Sequence, residues 1–214
     1  TVDRNWLSST TYTTYNHNES TRVVPSTVSG SSITLLAGDN LRSNSTVLNS
    51  TGNISITAGQ NIAYYALANQ TNYSSSTTKN RSFLGFLDYA FSNYSTQTLS
   101  TIGVPTQLQS QASITSSSGG DQIYQGTKVT YGGTFTAQAG VGEKARQDAK
   151  IYLTGIVNTT QTAAKQESSY VVWQKNQGVG SYEETLAITQ FNGPTIPTFQ
   201  APGGLVVQVP TGAL

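Results

Sequence analysis

A nine-residue pattern of apolar and polar positions occurs twice in the first third of the chain. The sequence reads ITLLAGDNL from Ile33 to Leu41 and ISITAGQNI from Ile54 to Ile62, so the second copy begins 21 residues after the first. Alternation of apolar and small polar residues is typical of a β-strand, and glycine followed by polar residues is typical of a turn. The pattern therefore predicts one strand and one turn in each copy.

Two weaker copies occur further along the chain. The sequence reads ITSSSG from Ile114 to Gly119 and FTAQAG from Phe135 to Gly140, and these copies again begin 21 residues apart. The 60 residues that separate Ile54 from Ile114 are close to three more periods, in which the pattern is harder to recognise. We therefore expect the repeat to extend through much of the chain.

A period of about 20 residues without a helical segment favours a parallel β-helix, whose coils stack at the spacing of paired strands. We predict an all-β fold, a right-handed parallel β-helix with irregular loops and a C-terminal β-hairpin extension. A β-sandwich with two similar strands is the alternative, but it does not account for the repeated turn residues. The predicted inward-facing core residues are Ile33, Leu35, Ala37, Ile54, Ile56, Ala58, Ile114, Phe135, Ala137 and Ala139.

The repeated turn residues have predicted roles of their own. Gly38 and Gly59 are expected to adopt positive φ, which costs glycine nothing sterically. Asn40 and Asn61 occupy matching positions, so their side chains are expected to stack and to satisfy turn amides.

The chain divides into three predicted parts. Residues 1–27 are rich in Thr and Tyr and are interpreted as a lead-in to the first coil. Residues 28–157 contain the β-helix repeats, interrupted at 69–100 by an irregular apolar insertion. Residues 158–214 are predicted to form one or two hairpins around a glycine turn, followed by a proline-containing extension.

Composition narrows the functional classes. Only 10% of residues are charged and the formal net charge is +1, so no basic surface argues for nucleic acid. The chain has no Cys, which excludes disulfides and thiolate chemistry and is consistent with export in an unfolded state. Residue 1 is Thr rather than Met, and we expect the chain to be a segment of a longer protein.

Residues with catalytic potential are few and scattered. His17 is the only histidine, and one His does not make a multi-His metal site. Glu183 and Glu184 are adjacent and would face opposite sides of a strand, while Asp39 and Asp121 follow glycine turns and are expected to cap backbone amides. We predict no catalytic residue, cofactor or metal, although a carboxylate pair across coils, as in carbohydrate-active β-helix enzymes, stays open.

Two further segments have alternative interpretations. FLGFLDYAF (Phe83–Phe91) is apolar between polar stretches. It is either a patch that contacts a membrane or partner or, as we favour, a flap or short helix that buries its apolar side chains on one face of the β-helix. GEKARQDAK (Gly142–Lys150) is interpreted as a solvated turn rather than a binding patch. The candidate contact residues of the first segment are Phe83, Leu84, Phe86, Leu87 and Phe91.

The ordered set of segments resembles a known family. GSSITLLAGDNLRSNSTVLNSTGNISITAGQNI is similar to the haemagglutinin repeats of filamentous-haemagglutinin-type exoproteins of two-partner secretion systems. The later repeat region of CdiA-type contact-dependent growth-inhibition proteins is similar to RSFLGF, GGDQIYQGTKVTYGGTFTAQAG, AKIYLTGIVNTTQT and WQKNQGVGSYEETL. The resemblance extends from about Val23 to Leu186.

This resemblance implies a secreted or cell-surface protein of a Gram-negative bacterium. Its implied partners are an outer-membrane transporter pore during export and, afterwards, a receptor, glycan or the outer membrane of a target cell. We expect a non-enzymatic segment that acts in contact-dependent growth inhibition, where such regions help to deliver a toxin across the target outer membrane. An adhesin stalk for host or biofilm attachment is the second hypothesis.

Overall fold

The computed structural model describes residues 1–4, 7–84 and 87–210. The regular secondary structure in those ranges consists entirely of β-strands. Within these described ranges, twenty-one strands, numbered β1 to β21 in chain order, form four sheets. The chain folds into two compact units whose segments alternate along the sequence. The antiparallel unit comprises Thr1–Thr21, Asn69–Thr101 and Thr159–Glu184, and the parallel unit comprises Arg22–Ala68, Ile102–Asn158 and the residues from Thr185 on.

The parallel unit contains three sheets of five strands each. The first parallel sheet consists of β3 (Thr27–Gly30), β6 (Val47–Ser50), β11 (Gln107–Ser110), β14 (Lys128–Tyr131) and β19 (Gln190–Asn192). The second consists of β4 (Ile33–Ala37), β7 (Ile54–Ala58), β12 (Ile114–Ser118), β15 (Phe135–Ala139) and β20 (Thr198–Gln200). The third consists of β5 (Leu41–Asn44), β8 (Ile62–Tyr65), β13 (Gln122–Gln125), β16 (Ile151–Thr154) and β21 (Leu205–Gln208).

Each three-strand unit of the chain, such as β3–β4–β5, contributes one strand to each parallel sheet, and the strands stand in chain order within every sheet. Equivalent positions of successive units pair directly. Ile33 lies opposite Ile54, Ile54 opposite Ile114, and Ile114 opposite Phe135. The repeat seen in the sequence is therefore the pairing register of the second parallel sheet.

The core of the parallel unit follows from this register. Every second residue of β7 is buried, because successive side chains of a strand point to opposite faces. Ile56 is fully buried, whereas Leu36, on the opposite face of β4, is 81% exposed. Of the predicted core residues, eight are buried, and Leu35 and Ala37 pack against them while partly exposed. The eight are Ile33, Ile54, Ile56, Ala58, Ile114, Phe135, Ala137 and Ala139.

In the second parallel sheet, the isoleucine position of the first three units is occupied by Phe135 in the fourth. The ring centroids of Phe135 and Phe191 lie 4.9 Å apart, and those of Phe191 and Phe199 lie 5.2 Å apart. Edge-to-face and tilted contacts of this kind are the favoured arrangements of aromatic pairs. A cluster of phenylalanine rings therefore fills the core of the last two three-strand units.

Stacked turns explain the repeated Ala-Gly and Asn residues. A Cβ atom built on Gly59 would lie 2.0 Å from the carbonyl oxygen of Gly38. The expected positive φ is wrong for both glycines, since positive φ among the described glycines occurs elsewhere. Glycine is needed because the backbone of the neighbouring turn lies against it. The predicted asparagine stack is confirmed: Asn40 Oδ1 accepts hydrogen bonds from the backbone N–H of Asn61 at 3.1 Å and from its side-chain amide at 3.0 Å.

The fourth sheet is antiparallel in its described pairs and is formed by long strands in chain order. It consists of β1 (Val2–Arg4), β2 (Ser8–Thr21), β9 (Leu67–Phe83), β10 (Leu87–Val104), β17 (Ile156–Tyr170) and β18 (Trp173–Ala187). The expectation that 69–100 is irregular is wrong, because nearly all of this segment lies in β9 and β10. The predicted lead-in of residues 1–27 likewise contains two strands of this sheet. The sequence did not predict these strands, because their long runs of Ser, Thr, Asn and Gln show no alternation of apolar and polar residues.

The 60 residues between Ile54 and Ile114 do not contain three further repeats. Strands β7 and β12 are direct neighbours in the second parallel sheet. The interval contains β8, then the long antiparallel strands β9 and β10, and then β11. We call each pair of long strands that leaves the parallel sheets and returns to them an excursion, so that β9 and β10 form the first. The second excursion, β17 and β18, turns at Val171 and Val172 rather than at the predicted glycines, of which Gly178 and Gly180 lie inside β18.

Buried hydroxyls close the base of each excursion within the parallel unit. Ser45, which is fully buried and has a φ of 47°, donates to the carbonyl of Val104 at 2.7 Å and accepts from the N–H of Leu67 at 2.7 Å. Thr189 Oγ1 lies 2.8 Å from the carbonyl of Tyr124 and 2.9 Å from that of Thr154. These bonds satisfy backbone groups that the departing strands would otherwise leave unpaired.

Truncation of a buried isoleucine of the second parallel sheet should be costly. We expect Ile56→Ala to lower the free energy of unfolding by about 2–5 kcal/mol, because the methyl groups leave a cavity in a closely packed core. Leu36→Ala, on the exposed face of the same sheet, should change it by less than about 0.5 kcal/mol. Urea denaturation followed by circular dichroism measures both values, and equal effects of the two substitutions would contradict this assignment of faces.

The two stacked glycines should differ sharply. Gly59→Ala places a methyl group against the Gly38 carbonyl and is expected to destabilise the parallel unit by about 1–3 kcal/mol. Gly38→Ala meets no atom within 4 Å and should be neutral or stabilising by up to about 1 kcal/mol. Thermal unfolding of the two variants measures the difference, and a Gly59→Ala variant as stable as Gly38→Ala would exclude the close stacking of these turns.

Candidate functional site

The residues singled out for catalysis are not assembled into a reactive group. His17 lies on β2 with a half-exposed side chain, and its Nε2 is 3.9 Å from a carboxylate oxygen of Glu19. Glu183 and Glu184 are neighbours within β18, and Glu184 accepts a hydrogen bond from Tyr182. Across residues 1–4, 7–84 and 87–210, no three His, Asp or Glu side chains come together as a metal site would require. No helix in these ranges has the length and apolarity needed to cross a membrane.

The charged turn Gly142–Lys150 contacts the stacked turns of the parallel unit. Lys144 forms an ion pair with Asp39 and donates a hydrogen bond to the carbonyl of Gly38 at 3.0 Å. The carboxylate of Asp39 is thus held by a lysine, and none of the hydrogen bonds found among the described residues joins it to a backbone amide. Asp121 does cap a backbone amide, that of Lys150, at 2.8 Å.

Two carboxylates share one guanidinium in the same turn. Arg146 lies 3.0 Å from Asp148 and 3.5 Å from Asp121. The hydrogen bond from Arg146, with its positive charge, lowers the pKa of Asp148 below its ordinary value. A general acid needs a raised carboxyl pKa, so Asp148 is suited to an ion pair rather than to proton donation.

A hydrogen-bonded polar network crosses the core of the parallel unit. Gln122 Oε1 accepts from the hydroxyls of Ser116 at 3.0 Å and Tyr124 at 2.7 Å. Its Nε2 donates to the carbonyls of Ser116 at 3.1 Å and Gln138 at 2.8 Å. The ring of Tyr64 is tilted against that of Tyr124, with centroids 5.0 Å apart, and the Tyr64 hydroxyl lies 3.3 Å from that of Ser116. Burial raises the pKa of both tyrosines above their ordinary value.

An exposed apolar surface lies at one end of the antiparallel sheet. We call it the apolar tip and define it by Phe83, Leu84, Leu87, Val171 and Val172, which lie at the turns of the two excursions. The pairing of Ala90 with Tyr170 brings the two turns to the same end of the sheet. The exposed fractions of Leu84, Leu87 and Val172 are 50%, 54% and 88%. Large contiguous patches of exposed apolar side chains mark sites of contact with proteins or membranes.

The apolar tip overturns the favoured interpretation of FLGFLDYAF. A flap would bury Phe83, Leu84, Leu87 and Phe91, but all four are exposed, between 39% and 54%. Phe86, the fifth candidate contact, lies outside the described residues. The flap prediction is wrong because this segment ends two long paired strands instead of crossing another face.

Sequence reasoning missed the second half of the apolar tip. The run YVVW (Tyr170–Trp173) forms the turn of the second excursion, and the rings of Tyr170 and Trp173 are stacked at 4.5 Å. Its signal was four consecutive β-branched or aromatic residues between polar stretches. What the sequence did not show is the register that places this run beside the first excursion.

Comparison of the chain with protein-family models, curated proteins and solved structures gives no match.

The buried tyrosines predict a steep loss of stability in alkali. Above about pH 10 tyrosines ionise in the unfolded chain but not in the folded core, so the free energy of unfolding falls as pH rises towards the folded pKa. Tyr64→Phe removes one such group. Above pH 10, the free energy of unfolding of this variant should therefore fall by about 1 kcal/mol less per pH unit than that of the unsubstituted chain. Urea titrations at several alkaline pH values measure the slopes. Tyr15→Phe, which removes an exposed tyrosine, is the control, and a Tyr64→Phe slope equal to that of the unsubstituted chain would refute the mechanism.

Proposed function

We propose that the three parallel sheets are the faces of a right-handed parallel β-helix in which each three-strand unit is one coil. The chain order of strands within every sheet supports this, because each coil then stacks on the previous one at about 4.8 Å. Crossover connections between parallel strands of one sheet are right-handed in about 98% of cases. In the proposed β-helix, crossovers of this one hand join the successive strands of each sheet.

We further propose that the chain is a non-enzymatic segment of a Gram-negative two-partner-secretion exoprotein that acts in contact-dependent growth inhibition. The resemblance of its repeats to that family supports the assignment. The absence of Cys and the nearest-neighbour pairing of the units fit export through an outer-membrane pore in an unfolded state. Folding outside the cell then propagates from one coil to the next.

The apolar tip is the observation that carries the proposed activity. Phe83, Leu84 and Leu87 are presented together with Val171 and Val172 at the end of a sheet whose remaining length is mainly polar. Burial of such side chains in the boundary of a bilayer is favourable at about 25 cal/mol for each Å² of apolar surface removed from water. The tip would engage the outer membrane of the target cell during toxin delivery.

An adhesin stalk that binds a surface glycan is the second candidate, and one groove favours it. The groove lies on the antiparallel unit and contains Tyr15, Gln97 and Lys165 together with several Ser and Thr residues. Aromatic rings beside amide and hydroxyl groups suit a sugar, which offers apolar C–H faces and many hydroxyls. Glycan binding needs the groove and not the apolar tip. Substitutions in the apolar tip therefore distinguish the adhesin from the delivery function.

The proposed membrane engagement is tested by charging the apolar tip. We expect the double variant Leu87→Asp/Val172→Asp to bind phosphatidylcholine vesicles at least about tenfold more weakly than the unsubstituted chain, because both side chains lose apolar burial. The same variant in the full-length exoprotein should lower growth inhibition of target cells. Vesicle co-sedimentation and a co-culture competition assay measure the two effects.

The control variant is Val24→Asp/Ile196→Asp, which makes the same chemical change at two residues of the parallel unit that are 83% and 89% exposed. Its vesicle binding and growth inhibition should be unchanged. Equal binding by all three proteins, with unchanged circular dichroism, would refute the role of the apolar tip. If Leu87→Asp/Val172→Asp still attaches to target cells but no longer inhibits their growth, the apolar tip acts in delivery rather than in adhesion.

A further inference from the structure

Two cations lie on one face of the antiparallel sheet, just behind the apolar tip. Lys79 and Arg81 are two residues apart on β9, so their side chains point to the same face. They line an open groove of about 200 Å³ together with Ser92, Ser168 and Tyr170. The groove thus combines two positive charges, two hydroxyls and an aromatic ring.

Neither cation forms an ion pair within the described part of the chain. The ion pairs found there involve His17, Lys144, Arg146 and Lys165, and no described carboxylate lies within 4.0 Å of Lys79 or Arg81. Lys79 instead lies 5.2 Å from the ring centroid of Tyr12, its partner across the strand pair. A chain with so few charges therefore keeps two of its eleven Lys and Arg side chains available to an external anion.

Apolar, aromatic and basic side chains lie together at this end of the antiparallel sheet. Phe83 is two residues from Arg81 and four from Lys79, which corresponds to about 7 Å and 14 Å along a strand. Tyr170 and Trp173 flank the turn of the second excursion, beside the apolar tip. Apolar side chains that enter the acyl chains, with aromatic rings and cations beside them, are typical of a surface that binds at a membrane boundary.

We propose that Lys79 and Arg81 form a binding site for the phosphate groups of anionic lipids in a bilayer that the apolar tip contacts. This inference rests on the proposed function, and it names the lipid class that the surface selects. Guanidinium binds phosphate through two parallel hydrogen bonds, and lysine adds a point charge. Ser92 and Ser168 supply hydroxyl donors to the remaining phosphate oxygens.

One carboxylate opposes this site. Asp88 lies on β10 two residues before Ala90, which lines the groove, and alternation places both on the same face. Its charge repels phosphate, so Asp88→Asn should strengthen binding to anionic vesicles severalfold. This variant tests the site by a gain of affinity, which a loss of folding does not mimic.

The decisive experiment compares vesicles of phosphatidylcholine with vesicles that also contain phosphatidylglycerol. The unsubstituted chain should bind the anionic vesicles more tightly, and Lys79→Gln/Arg81→Gln should lose about 30-fold of that affinity while its binding to phosphatidylcholine stays unchanged. The control Arg22→Gln/Lys128→Gln removes the same net charge outside the groove. Both residues are exposed and belong to the parallel unit.

The outcomes separate this inference from the proposed function. If the chain binds phosphatidylcholine through its apolar tip but gains nothing from phosphatidylglycerol, or if both double variants lose affinity equally, the phosphate site is refuted and the proposed function stands. If the unsubstituted chain binds neither kind of vesicle, both fail. Loss of anionic binding in Lys79→Gln/Arg81→Gln alone, with gain in Asp88→Asn, supports the site.

Discussion

In-register stacking of short parallel strands is the constraint on which the rest of the parallel unit depends. Because Ile54 lies directly between Ile33 and Ile114 in the second parallel sheet, the first four units each place an apolar residue at that position. The same register brings the turns into contact, and it leaves no room for a side chain at Gly59. One pairing rule therefore selects both the buried ladder and the glycines beside it.

This rule also explains why the chain tolerates two long excursions. A unit is held by hydrogen bonds to the units before and after it in the stack, so the residues between β8 and β11 need only return in register. Ser45 and Thr106 hold the backbone where the first excursion leaves and re-enters, with hydrogen bonds to Val104 and Tyr65. The excursions are then free to carry exposed apolar and basic residues that no core position would accept.

The sequence predicted the repeat register well because identical residues recur at a fixed period, as at Ala37 and Ala58. It predicted the antiparallel strands poorly, because Ser- and Thr-rich segments such as β9 show no alternation of apolar residues. The first half of the apolar tip was recognisable as an apolar run, but its exposure was not, since a flap and a hairpin end have the same composition. The sequence did not indicate that Lys79 and Arg81 belong to a binding site, because their shared groove forms only when β9, β10 and β17 are paired.

The most direct test of the account is disulfide formation between cysteines introduced at paired positions, which the absence of native Cys makes unambiguous. Ser55 lies opposite Thr115 although 60 residues separate them, and adjacent strands lie about 4.8 Å apart, within the Cα range that a disulfide spans. We predict a cross-link in Ser55→Cys/Thr115→Cys. Ser55→Cys/Thr136→Cys should give none, because Thr136 pairs with Thr115 one strand further away. A cross-link in the second variant but not in the first would contradict the stacking on which the whole account is built.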